Sequence, residues 1–123
     1  MTLASAGMPP VYIHRVASGT VDEVAVHATP LGTLGDDYKD AVIDLASGDT
    51  MLLMTDGFPE LLQGSNGTSQ QRGYTGAMED FAAAAQASDV AGVIASLETS
   101  VQRWHGDSAP NDDVTFVVVR ARA

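Results

Sequence analysis

Two acidic turns hold the residues best suited to chemistry. The run Met51-Leu52-Leu53-Met54-Thr55 stops on Asp56-Gly57, and Asn111-Asp112-Asp113 leads into Val114-Thr115-Phe116-Val117-Val118-Val119. A carboxylate at the mouth of an apolar strand sits on ordered backbone within reach of water. Hard cations such as Mg²⁺ and Mn²⁺ prefer oxygen ligands of this kind and keep coordination positions open for water and phosphate. Asp-Gly is also a common turn pair, and Asn/Asp clusters open many loops. The specificity lies in the pairing: both turns adjoin strand-like runs and are separated by a helical stretch.

Other chemistries find little support. There is no cysteine, and hence no thiolate nucleophile or disulfide. No phosphate-cradling glycine loop, dinucleotide fingerprint, HExxH motif or nucleophile elbow occurs. His14 and His27 lie in strand-like segments and read as surface or edge residues. His105 reads as a solvated helix end. Sixteen acidic residues against six basic ones give a formal charge of −10, which argues against nucleic acid as a partner. No apolar run is long enough for a membrane span, and the first residues lack the basic and apolar regions of a signal peptide. A cytoplasmic location is expected.

The elements that must position the two turns follow from pattern. Val11–Val16, Val24–Val26, Ala41–Leu45, Thr50–Met54 and Val114–Val119 are strand-like, and Ala46-Ser47-Gly48-Asp49 is expected to close a hairpin between the third and fourth. Thr50–Met54 and Val114–Val119 carry apolar residues at successive positions, predicting central strands covered on both faces. Residues 64–73 are rich in Gly, Ser and Gln and are expected to form a mobile loop. A helix is predicted over Thr75–Gln86, with Met78, Phe81, Ala82 and Ala85 on one face. A second follows Ser88 as N-cap, with Val90, Val93, Ile94, Leu97, Val101 and Trp104 at helical spacing. One α+β domain spanning residues 1–123 is expected.

Five ordered motifs carry a family resemblance: Ala6-Gly7-Met8-Pro9-Pro10; Pro30-Leu31-Gly32; Gly48-Asp49 with Leu53-Met54-Thr55-Asp56-Gly57-Phe58-Pro59-Glu60; Gly73-Tyr74; and Asp112-Asp113-Val114-Thr115. From about Leu3 to Arg120 the chain resembles the SpoIIE/RsbU-type branch of the PPM, metal-dependent serine/threonine protein phosphatases. The resemblance implies an α-β-β-α sandwich holding a dinuclear Mn²⁺ or Mg²⁺ centre. Asp56 and Asp112 would be its catalytic metal ligands, Gly57 the turn beneath the metal, and Asp113 a second-ranked ligand. Met8 stands where the family more often has His. The segments Gly-Asp-x-x-Asp and Asp-x-x-Gly-His-Gly do not occur here, so the chain is expected to correspond to the C-terminal half of the domain.

The implied activity is hydrolysis of phosphoserine or phosphothreonine on a bacterial STAS-type regulator of the anti-sigma-factor-antagonist class, weak or absent in these 123 residues alone. The alternative is a non-catalytic half-domain acting as an interaction or regulatory module. A third reading is a divalent-cation-binding domain without hydrolysis. A homodimer is expected, formed through the sheet face that two helices cannot cover.

Overall fold

Strands form where β-branched and aromatic residues cluster, and helices where apolar residues recur every three or four positions. The computed structural model describes residues 1–33, 35, 37–63 and 70–122. Along the chain run β1 (Thr2–Ala4), β2 (Val11–His14), β3 (Val21–Val24), β4 (Asp40–Val42) and β5 (Thr50–Met54), then α1 (Gly73–Ala84), α2 (Val90–His105) and β6 (Phe116–Arg120). The main sheet has four strands in the order β3-β2-β5-β6, and a second sheet pairs β1 with β4.

All pairings are antiparallel, and their register sorts the side chains by face. Tyr12 pairs with Leu52 and Leu52 with Val118, whereas Ile13 pairs with Met51 and Met51 with Val119. The Tyr12 face packs on both helices in a core containing Leu52, Met54, Phe58, Phe81, Val93 and Leu97. Fully burying a side chain such as Phe81 or Leu97 contributes about 1.5–3 kcal/mol. At 12 residues α1 is too short to be stable alone, so it depends on this docking.

The opposite face buries Val11, Ile13 and Met51 against Ile43, with Leu3, Leu45 and Leu53 alongside. The segments around β1 and β4 thus cover the part of that face formed by β2 and β5. Val117 and Val119 of β6 remain 53% and 37% exposed.

Several local expectations are corrected. Segments 41–45 and 50–54 do not form a hairpin: β4 pairs with β1, while β5 lies between β2 and β6. The turn before β5 is real, but its backbone bonds run to the far end of the chain, from Gly48 N to Ala121 O and from Ala121 N to Asp49 O. β6 is an edge strand with one half-open face, because its valines satisfy either environment. Asp89, one residue beyond Ser88, caps α2, accepting at Oδ1 from Gly92 N at 2.8 Å. The buried face of α1 comprises Ala77, Phe81 and Ala84 with neighbouring Ala85, while Met78 and Ala82 are half-buried. Of the expected mobile loop, residues 64–69 lie outside the described residues. Gln71 bridges to Leu62, and Gly73 already belongs to α1.

Candidate metal-binding turns

Antiparallel pairing of β5 with β6 sets Met54 opposite Phe116. The chain leaving β5 therefore meets the chain entering β6, and residues 55–57 lie against 113–115. Thr55 stitches them together. Its amide donates to Thr115 O at 3.2 Å, its hydroxyl donates to Asp113 O at 3.0 Å, and the same oxygen accepts from Thr115 N at 3.0 Å.

Gly57 shows how tight the junction is. A Cβ built there would lie 2.3 Å from the Asp113 carbonyl oxygen, a distance no side chain tolerates. Glycine is required by close backbone approach, not by an unusual φ. The turn is closed by Phe58 N donating to Thr55 O and Glu60 N to Asp56 O. On the other side Asp112 Oδ1 accepts from Asp113 N at 2.7 Å. Asn111 Oδ1 accepts from Leu62 N at 3.0 Å, tying the second turn to the segment after the first.

The carboxylates themselves face solvent: Asp56, Asp112 and Asp113 are all exposed, on backbone that is extensively hydrogen-bonded. Their neighbourhood is electronegative. The Tyr74 phenol is held above its ordinary value, first by burial and then by the negative charges of Glu60, Asp56 and Glu23. Glu23, on β3, is a participant the motifs do not reveal, since it reaches this area only through strand pairing.

The structure thus brings together the two turns singled out in the sequence. It does not bring in the histidines. His14, expected at a surface or edge, is buried on the helix side of a central strand, with Nε2 3.1 Å from Gln86 Nε2. His27 is exposed, and His105 Nδ1 lies 2.5 Å from Ser108 O. Met8 is exposed, while its neighbour Gly7 abuts Pro30, where a Cβ would meet the ring Cγ at 2.8 Å. The first two sequence motifs therefore touch each other, as the third and fifth do at Gly57 and Asp113. Among the described residues no group of three or more His, Asp or Glu side chains is placed to hold a metal ion.

No curated protein matches the chain. Solved structures do. The SiaA-PP2C domain of Pseudomonas aeruginosa superposes with a TM-score of 0.71 at 24% identity, over 97% of this chain and 46% of that one. The PP2C phosphatase domain of SpoIIE from Bacillus subtilis, solved with a fragment of its regulatory domain, gives 0.75 at 23% identity, over 98% and 34%. The RsbU and RsbW domains of a Mycobacterium tuberculosis protein give 0.68 at 25% identity, over 99% and 32%. The chain therefore spans less than half the length of each of these three structures. Its α+β fold is that of part of a PP2C-type phosphatase domain. The model of the Stage II sporulation protein E (SpoIIE) family matches residues 1–122, through both sheets and both acidic turns, and the chain belongs to that family.

Proposed function

We propose that the chain contributes one part of a divalent-metal-dependent phosphatase centre whose substrate is phosphoserine or phosphothreonine carried by a separate bacterial regulatory protein of the STAS type. Asp56 and Asp112 are its carboxylate contribution. Gly57 and Asp113 form the backbone junction that fixes them, with Asp113 as an additional oxygen donor. The observation that carries the reading is that junction. The tight Gly57–Asp113 approach and the Thr55 hydroxyl hold two exposed acidic turns in one place, within a chain of the SpoIIE family.

Mn²⁺ or Mg²⁺ bound in such a centre polarises a phosphoryl group and acidifies a bound water. Among the described residues no three-ligand group is present. Two cations a few ångströms apart repel strongly unless several anionic ligands surround them. What this chain's residues do is narrower. They present carboxylate oxygens at the sheet edge, keep them hydrated and hold the turns fixed. The residues of the chain taken alone are expected to bind Mn²⁺ only in the millimolar range, as loose sites of low charge do, and to hydrolyse phosphoesters slowly or not at all.

The lack of a three-ligand group among the described residues also favours a second reading, a non-catalytic module of the same fold. Calorimetric titration with Mn²⁺ separates the two. Weak binding lost in Asp56→Asn and Asp112→Asn supports the phosphatase reading. Binding that both substitutions leave intact, or no binding at millimolar metal, overturns it in favour of the module. We further propose a homodimer through the exposed Val117–Val119 face, which sedimentation of Val117→Lys against the parent chain tests by loss of the dimer.

A further inference from the structure

The segment that leaves the Asp56 turn is held from beneath by one buried arginine. Arg72, just before α1, is 8% exposed as a residue and its side chain is 1% exposed. Its guanidinium carbon lies 4.3 Å from the centre of the Phe58 ring and 5.8 Å from that of Trp104. Phe58 stands two residues beyond Asp56 and meets Phe116 of β6 edge-on, with ring centres 4.9 Å apart. The Phe58 ring is therefore in contact with both the arginine and the strand that follows the second acidic turn.

The same arginine gathers both helices. It forms an ion pair with Asp80 of α1. Its Nη2 donates to Ser100 Oγ of α2 at 2.6 Å, and that hydroxyl donates to Asp80 Oδ2 at 2.5 Å. Its backbone joins in: Arg72 N donates to Leu61 O at 3.0 Å and Gly73 N to Pro59 O at 2.8 Å. Trp104 Nε1 adds a bond to the same Leu61 carbonyl at 2.8 Å. Residues 58–61 are thus fixed from α1, α2 and the segment before α1 at once.

We propose that Arg72 is the positioning residue of the acidic junction: the Arg72–Asp80–Ser100 network sets the place of Phe58, and through it the geometry of Asp56 and Gly57 against Asp113. The proposal rests on the metal-site reading for its consequence on cation binding, but not for its structural content.

A role in stability alone fits poorly. Arg72 Nε and Nη1 are buried without a hydrogen-bond partner among the described residues. Unmet donors cost free energy, and a buried ion pair is often no more stabilising than apolar residues of similar size. Burial and the like charge of Arg103 also pull the guanidinium down to about 10, still protonated at neutral pH. What a forked cation between two rings provides, and an apolar side chain does not, is direction.

The test uses the intact chain and the double variant Arg72→Met/Asp80→Leu, which removes both charges together. The variant is expected to stay folded. Its Gly57 and Asp113 amide resonances should move in the absence of metal, and its Mn²⁺ affinity, read by water-proton relaxation, should fall about tenfold, the low end of what supporting residues contribute at metal sites. Arg72→Lys, which keeps the charge but loses the fork, should not restore the resonances. A folded double variant with parental amide positions and parental Mn²⁺ affinity overturns the proposal. If the double variant does not fold, Ser100→Ala decides by the same two readouts, with smaller shifts expected. If the parent chain binds no Mn²⁺, the metal-site reading fails, while the amide shifts still decide the role of Arg72.

Discussion

Strand β5 has an aspartate at each end, and the two have opposite fates. Asp49, just before the strand, is 2% exposed and fully engaged. Its Oδ2 accepts from Arg15 Nη1 at 2.9 Å and from Ala46 N at 3.1 Å, and its Oδ1 from Val16 N at 3.0 Å. Asp56, just past the other end, is exposed, and its side chain accepts no hydrogen bond from a described residue. One carboxylate has been consumed in closing a turn and anchoring β2. The other is held in place by its backbone while its oxygens stay free. Saturation marks the structural end of the sheet, and restrained exposure marks the candidate functional end.

The largest stability effect should therefore come from the residue with no proposed role in chemistry. Asp49→Ala strips the acceptor from two backbone amides and from Arg15, and should cost about 3 kcal/mol in urea unfolding, as loss of a buried charged partner does. A loss below about 0.5 kcal/mol, the size expected of a surface substitution, would break the contrast.

The same carboxylate should give stability an acid limb. Burial alone would raise Asp49, but hydrogen bonds from Arg15, Val16 and Ala46 outweigh it and hold the group below its ordinary value of 3.8. A depressed folded value means that its stabilisation is complete above the unfolded value and disappears as pH falls from there through the folded one. In Asp49→Asn that part of the decline below pH 3.8 should be absent.

Gly57→Ala comes next and joins the two ends of the comparison, since it damages structure at the functional end. The added methyl meets the Asp113 carbonyl and must push the turns apart, at an expected cost of about 2 kcal/mol, in the range of overpacked sites. Unlike Asp49→Ala, it should abolish Mn²⁺ binding even where the chain remains folded. Retained binding would mean that the junction is not what holds the carboxylates.

Much of this was legible in the sequence because it is local. Asp56-Gly57 and Asp112-Asp113 declared themselves by their strands, and both helices by their periodicity. What was not legible depends on partners distant in the chain. Gly48-Asp49 looks like a hairpin turn, yet its neighbours pair with β1 and β6, and nothing in residues 46–49 encodes that choice. A run of valines in β6 suits a central or an edge strand equally well. Arg72 sat in a polar, loop-like stretch, and only the fold reveals that Phe58, Asp80, Ser100 and Trp104, drawn from three other segments, converge on it.

The smallest stability effects should fall on the residues proposed to matter most for function. Asp56→Asn removes a charge from an exposed side chain without a described hydrogen bond, so unfolding should change by no more than about 0.5 kcal/mol, as for surface substitutions generally. Asp112→Asn keeps the Oδ1 that accepts from Asp113 N, and should be as mild. Both should nevertheless weaken Mn²⁺ binding. Asp56→Asn has a further signature that needs no metal. Because the Asp56 charge helps hold the Tyr74 phenol above its ordinary value, after burial and Glu60, its removal should let Tyr74 ionise at lower pH. Ultraviolet titration of Tyr74 in a Tyr12→Phe, Tyr38→Phe background reads this directly. An unchanged Tyr74 titration would place Asp56 too far from that ring to share an electrostatic environment, and would remove the shared negative field from the description of this end of the sheet.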